Sequence, residues 1–115
     1  MLRYIAFFIL FCITLFANEI EVTVIYGDYT PSKVVTTTYK DGTTALELLK
    51  QVCVVETSTK GKFTFVRSID GVKSEVGKMG WFYLIDGESV HKMAENYILD
   101  GAKSMIWILK VEACY

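Results

Sequence analysis

The stretch WFYLIDGESV (residues 81–90) joins an apolar run to an acid–glycine pair, Asp86-Gly87. An Asp-Gly step between apolar flanks is the strongest short sequence signal for a β-hairpin. The same pair recurs at residues 41–42, 70–71 and 100–101. Glycine adopts positive φ at little cost and aspartate can hydrogen-bond its own turn, so each pair predicts a chain reversal. The alternative, a set of acidic metal ligands, is disfavoured because the acids lack the dense spacing of a calcium loop.

The segments between these corners are predicted to be mostly strands. Alternating or β-branched residues predict strands at residues 20–26, 33–40, 62–69, 81–85 and 104–112. After the predicted helix, Val54 and Val55 are β-branched, and residues 57–60 are interpreted as a polar loop. The last strand, SMIWILKVE, is so apolar that burial on both of its faces is expected, as in a central strand.

A single helix is predicted after the second strand. Ala45, Leu48, Leu49 and Val52 recur at i, i+3, i+4 and i+7, which places them on one helical face that ends near Cys53. We expect Thr43 or Thr44 to cap this helix, and Glu47 lies at a capping-box spacing from Thr44.

These elements predict an α+β domain. The order β-β-α-β-β-β, with the first and last strands side by side in the middle, indicates a β-grasp arrangement: a mixed sheet of about five strands packed on one helix. The length of residues 18–115 suits one domain with one modest core.

The N-terminal 17 residues are predicted to be a secretory signal peptide. A short positive start containing Arg3 precedes an apolar run at residues 5–16 and then Ala17, a small residue at the expected cut. The run is short for a membrane span, so an uncleaved anchor is the weaker alternative and no stable membrane insertion is expected after cleavage. We therefore expect an exported protein, periplasmic or extracellular, whose domain covers residues 18–115.

Charge and cysteine content fit that interpretation. The chain carries 12 basic and 13 acidic residues, a mixed surface that gives no reason to expect nucleic acid as a partner. Residues 18–115 contain two cysteines, Cys53 and Cys114. In an oxidising compartment this pair predicts a disulfide; two unpaired thiols are the alternative.

The sequence contains no catalytic motif, so we predict that the protein is not an enzyme. His91 is the only histidine of the chain, and Ser89 lies too near it in one strand for triad geometry. His91 and Met93, together with Met79, could bind a soft metal such as copper. The simpler interpretation, a surface histidine beside a packed methionine, is favoured and no metal site is assigned.

Aromatic residues are abundant, at 14% of the chain. Trp81 and Tyr83 are expected on one face of their strand and Phe82 on the other. Most aromatic residues are interpreted as core. The alternative is a flat aromatic rim beside the loop at residues 72–80 that could lie against a large planar ligand.

Three segments carry a family resemblance. DGTTALELLKQV (residues 41–52), FTFVRSIDGV (63–72) and the pair GWFYLIDGES (80–89) and YILDGAKSMIWILK (97–110) follow one another in order. In this order and spacing, residues 20–110 resemble the transcobalamin-like C-terminal domain, a β-grasp family that is mostly of unknown function in bacteria.

The resemblance implies a binding role. In the animal vitamin B12 carriers this domain closes over one face of a corrinoid, so a cobalamin-like ligand is the implied cofactor. The positions that match the ligand-facing loop and aromatic strand are Asp70, Gly71, Met79, Gly80, Trp81 and Tyr83. We therefore expect an exported, non-catalytic module that binds a bulky cofactor or an envelope transport protein. The alternatives are an envelope scaffold module that uses a sheet edge, and a soft-metal handling protein.

Overall fold

The computed structural model describes residues 18–27, 30–75 and 79–110. The predicted signal peptide and Cys114 lie outside these residues. In chain order the described elements are β1 (Asn18–Ile25), β2 (Lys33–Tyr39), α1 (Ala45–Val52), β3 (Val55–Lys60), β4 (Phe63–Ile69), β5 (Val72–Lys73), β6 (Gly80–Ile85), β7 (Glu88–Ser89) and β8 (Ser104–Lys110). No helix in these ranges is long and apolar enough to cross a membrane.

The strands form two sheets. The larger sheet is mixed and has the order β2-β1-β8-β6-β7. Its central pair, β1 and β8, is parallel, and β2 and β6 flank that pair in antiparallel orientation. The prediction that the first and last strands lie side by side in the middle is therefore confirmed. Each of the five predicted segments contains a strand, but the third, β4, lies in the smaller sheet and not in a single five-stranded sheet with the others.

The inner face of the larger sheet carries the core. Alternate residues of β1, β6 and β8 are almost completely buried there and pack with the buried face of α1. These inner residues are Ile20, Val22 and Val24 of β1, Trp81, Tyr83 and Ile85 of β6, and Met105 and Trp107 of β8. The period of two along each strand sends every second residue to this side.

The outer face of the same sheet corrects one prediction. Ile106 and Ile108 of β8 are only half-buried, so this central strand is not enclosed on both faces. The two central outward residues, Ile106 and Ile108, are as apolar as the inward ones, and for this reason the sequence alone predicted double burial.

The smaller sheet was not predicted. Residues 57–60, interpreted from sequence as a polar loop, belong to β3, which pairs antiparallel with β4 in the order β3-β4-β5. The strand is polar and mostly exposed, with a register shift between Glu56 and Thr57. The strand lacks an apolar alternation because it lies at a solvated sheet edge. Its extended conformation is fixed by hydrogen bonding to β4.

The helix α1 is short, so its end groups matter. Thr44 is the N-cap: its Oγ1 accepts from the Glu47 amide at 3.2 Å, and the Thr44 amide donates to Glu47 Oε1 at 3.1 Å. This is the predicted capping box. The buried face of α1 consists of Ala45, Leu46, Leu48 and Leu49.

The acid–glycine corners are turns, as predicted. Gly42, Gly71, Gly87 and Gly101 all have positive φ, and so do two of the preceding acids, Asp70 and Asp86. Asp86 also anchors its hairpin to the start of β8, because Oδ1 accepts from the Lys103 and Ser104 amides at 2.9 and 3.0 Å. The corner therefore fixes both the reversal and its position in the sheet.

Replacement of the N-cap tests the contribution of the capping box. We expect Thr44→Ala to lower the free energy of unfolding by about 1 kcal/mol, because the Glu47 amide loses its acceptor at the start of a two-turn helix. Urea denaturation followed by circular dichroism measures the change. Thr43→Ala is the matched control, and an equal loss in both variants would show that the cap contributes nothing.

Candidate functional site

A cavity of about 410 Å³ lies between the two sheets. Its floor comes from β6, β8 and α1 through Trp81, Tyr83, Trp107 and Leu46. One wall is residues 63–66 of β4, and residues 90–94 close the opposite side. The cavity therefore has aromatic and apolar walls to which both sheets contribute.

Stacked rings fix the shape of the floor. The Tyr83 and Trp107 rings stack with centroids 5.0 Å apart, and Tyr97 meets Tyr83 edge-on at 6.4 Å. The Tyr83 hydroxyl donates a short hydrogen bond to the Lys92 carbonyl, which ties the 90–94 segment to β6. Tyr83 is therefore held by ring contacts with both Trp107 and Tyr97 and by its hydrogen bond to Lys92.

One polar atom in this region has no acceptor. Trp107 is only 2% exposed, and its Nε1 has no hydrogen-bond partner among the described residues. In contrast, Trp81 Nε1 donates to the Val72 carbonyl at 3.2 Å. A buried donor that lacks an acceptor costs about 1–3 kcal/mol, so such atoms usually have a functional or structural reason.

The residues at the opening of the cavity are more exposed than those of its floor. Phe63 is 55% exposed although it is a large aromatic residue, and it stands in the wall. His91 and Lys92 are exposed and Met93 is half-buried, and all three line the cavity. A ligand in the cavity would thus meet apolar surface inside and one cation near the entrance.

A second cluster of polar groups surrounds Asp70. Its carboxylate accepts from the Tyr26 hydroxyl at 2.5 Å, the Val54 amide at 2.9 Å and Lys33 Nζ at 3.2 Å. Lys33 Nζ also donates to the Val52 carbonyl at 2.8 Å. Asp70 therefore joins the end of β1, the start of β2, the residues after α1 and the turn after β4.

The charge states in this cluster follow from its contacts. Burial opposes ionisation of Asp70, but the hydrogen bonds from Tyr26, Val54 and Lys33 outweigh it and lower the pKa of Asp70. Burial, followed by the nearby Asp70 carboxylate, raises the pKa of Cys53 to about 11. The Cys53 thiol is therefore neutral at physiological pH, which argues for a structural role rather than a nucleophilic one.

The six predicted ligand residues fall into two groups. Trp81 and Tyr83 line the cavity, whereas Asp70 is the centre of the polar cluster. Gly71 is an exposed turn residue with φ +85°, Gly80 is buried at the start of β6, and Met79 is half-buried and hydrogen-bonded to Glu75. Tyr26 connects the groups, since its ring meets Trp81 edge-on at 6.2 Å.

The favoured interpretation of the aromatic residues as core holds for Trp81 and Tyr83, and the alternative of a flat aromatic rim does not. Trp81 is 0% and Tyr83 8% exposed, so neither ring offers an open platform. The sequence did not single out Phe63 or Trp107 as site residues. The alternation of Phe63 and Phe65 in β4 was the available signal, but only the packing of β4 against β6 brings that strand to the cavity.

The possible soft-metal ligands lie partly together. His91 and Met93 both line the cavity, and Met79 does not. Within the described part of the chain, no group of three or more His, Cys, Asp or Glu side chains is arranged to hold a metal ion.

A mostly β domain with two sheets, one short helix and an inter-sheet cavity is the class of protein that the described residues define. The chain belongs to the family described as "Domain of unknown function (DUF4430)", whose model matches residues 42–110. The comparison with curated proteins found no match.

Two solved structures share the fold. A candidate metal-binding protein from Ruminococcus gnavus ATCC 29149 superposes with a TM-score of 0.69 at 23% identity, over 82% of this chain and 97% of that one. Haptocorrin in complex with Cbi superposes with a TM-score of 0.63 at 13% identity, over 79% of this chain and 25% of haptocorrin. At these identities the likeness concerns the fold.

A charge-removing substitution tests the Asp70 cluster. At neutral pH we expect Asp70→Asn to lower the free energy of unfolding by about 1–2 kcal/mol, because a charged acceptor becomes a neutral one. The lowered pKa means that the charge stabilises the fold above the unfolded-state pKa of about 4, and that this contribution disappears as the pH falls through the folded-state pKa. The difference between wild type and variant should therefore shrink below about pH 4.

The measurement is urea denaturation of both proteins between neutral and acidic pH. Asp100→Asn is the control, because it removes another Asp-Gly acid outside the cluster. A difference for Asp70→Asn that stays constant with pH, or that equals the control, would contradict the assigned role.

Proposed function

We propose that the chain is an exported, non-catalytic binding module that holds part of a bulky, largely apolar cofactor between its two sheets. The observation that carries the proposal is the cavity of about 410 Å³, whose lining includes the aromatic residues Phe63, Phe65, Trp81, Tyr83 and Trp107.

The size of the cavity bears on the kind of ligand. Its volume of about 410 Å³ falls within the range of ligand pockets, which is about 300–1,000 Å³. A cofactor as large as a corrinoid exceeds this volume, so the cavity would receive one edge of it while the remainder stayed outside. Lys92 near the entrance would favour a ligand with anionic or carbonyl substituents.

The fold comparisons support a cobalamin-like ligand as the first to test. We propose that the larger sheet and α1 form a β-grasp arrangement of the transcobalamin-like type, and haptocorrin, solved with Cbi, shares the fold. The superposition covers only 25% of haptocorrin, so the remainder of a corrinoid site would have to come from a partner, for which we propose an envelope transport protein.

The first experiment is calorimetric titration of the purified protein with cobalamin and with Cbi, in parallel with tryptophan fluorescence. We expect binding that quenches fluorescence, because Trp81 and Trp107 lie at the floor. Phe63→Ala should weaken binding about tenfold through the loss of an aromatic wall contact. Ile98→Ala is the matched control, because Ile98 is exposed to 57% and does not line the cavity.

Absence of both heat and quenching at about 1 mM ligand, which corresponds to about −4 kcal/mol, would refute the corrinoid version.

Copper is the contrasting ligand in the same titration. The second candidate function, soft-metal handling, is favoured by the position of His91 and Met93 on one cavity wall and by the candidate metal-binding protein that shares the fold. Copper binding that His91→Ala abolishes would support this function instead.

Export also predicts a covalent feature. We propose a Cys53–Cys114 disulfide: Cys53 is buried directly after α1, and Cys114 lies outside the described residues. A bridge across about 60 residues would contribute about 4 kcal/mol in the loop-entropy model. Intact mass of the native protein, with and without reductant, should show the loss of two hydrogens and the absence of residues 1–17. Two thiols that alkylate without reductant would contradict the bridge.

A further inference from the structure

The outer face of the larger sheet is apolar at its centre. Strand alternation and register place six side chains there, on the side opposite the core: Ile25, Val34, Phe82, Leu84, Ile106 and Ile108. They form two adjoining rows. One row contains the register neighbours Phe82, Ile108 and Ile25. The other contains Leu84, Ile106 and Val34, with Thr23 between Ile106 and Val34. We call this surface the outer apolar face.

This face is uncovered within the described residues. None of the six side chains belongs to the core cluster or to the hydrophobic residues packed against it. Val34 is 60% exposed and the other five are half-buried. A contiguous apolar surface that no other described element covers usually marks an interaction surface.

Charge on the same face is arranged unevenly. Glu19 and Glu21 of β1 point outward at one end, where Glu21 is the register neighbour of Ser104. Lys110 lies at the other end of β8, with its Nζ 4.7 Å from the centroid of the outward Phe82 ring. One end of the apolar rows is therefore acidic and the other basic.

We propose that the outer apolar face binds a second copy of this chain through a two-fold axis that crosses the strands at the level of Trp107. This rotation reverses the strand direction. It places the Ile106 row of one copy over the Ile108 row of the other, and it sets Lys110 of each copy over Ser104 and beside Glu21 of the second copy. A two-fold interface must be self-complementary, and a patch with apolar rows between opposite charges meets that condition.

The size of the patch sets the expected strength. Four strands spaced about 4.8 Å apart and six residues of about 3.3 Å rise give a flat footprint of about 400 Å² per copy. Stable interfaces bury about 800 Å² per partner, so this dimer should depend on concentration rather than be obligate. Of the six residues of the outer apolar face only Phe82 is also among the residues that line the inter-sheet cavity. Dimer formation therefore goes beyond the proposed function and does not depend on it.

The test is sedimentation equilibrium of the protein produced from its full-length gene, at concentrations up to about 500 μM, where contacts of −4 to −8 kcal/mol are measurable. We expect a monomer–dimer equilibrium. Val34→Glu should raise the dimer dissociation constant at least about tenfold, because it places two unpaired carboxylates in the interface. Ile98→Glu is the matched control, with the same charge change at 57% exposure away from this face.

Charge reversal tests the orientation. Lys110→Glu should weaken the dimer about tenfold, because each copy then places an acid beside Glu21 of the other. The double variant Glu21→Lys with Lys110→Glu should recover most of the wild-type affinity. Recovery in the double variant separates a direct pairing from the loss of the Lys110 contact with Phe82, since that loss is present in both variants.

Three outcomes would overturn the proposal. One is a wild-type protein that stays monomeric over the whole concentration range. Another is a dimer that Val34→Glu and Ile98→Glu weaken equally. The third is a monomer whose free energy of unfolding falls selectively in Val34→Glu, which would indicate that another segment of the same chain, such as the apolar residues 5–16, covers the face.

Discussion

The parallel pairing of β1 with β8 is the constraint on which the other elements depend. It joins the first and last described strands over five register pairs, from Glu21–Ser104 to Ile25–Ile108. Because parallel strands cannot be joined by a tight turn, everything between them must serve as the connection. The register also decides which residues are buried: a slip of one residue would move Met105 and Trp107 from the core to the outer face.

The inter-sheet cavity follows from this arrangement. β6 adds to the free edge of β8 and places Tyr83 opposite Trp107, while β4 reaches β6 only as part of a second sheet. The Asp70 cluster connects that second sheet to the first, since its carboxylate contacts the end of β1 and the start of β2. The Asp70 cluster therefore connects the two sheets, and the cavity is the space between them.

Part of this architecture follows from local sequence. The corners at Asp41-Gly42, Asp70-Gly71, Asp86-Gly87 and Asp100-Gly101 are readable because positive φ favours glycine, and the capping box at Thr44 and Glu47 is readable because its two bonds span only three residues. The neighbouring positions of the first and last strands were also predictable, since their apolar content suits a sheet centre. Of the cavity, the sequence indicated Trp81 and Tyr83 and gave their common face.

Tertiary structure decided the rest, because the interactions concerned join residues far apart in the chain. Residues 55–60 become a strand only through pairing with β4, and no apolar alternation marks them. Asp70 looks like any other Asp-Gly acid in sequence, yet its partners Tyr26 and Lys33 lie 44 and 37 residues away. The centre of the outward side of β8, Ile106 and Ile108, is as apolar as the inward side, so pattern alone predicted burial of both. Local pattern determined where this chain turns and which residues alternate, whereas long-range packing decided which apolar surfaces became core, cavity or open face.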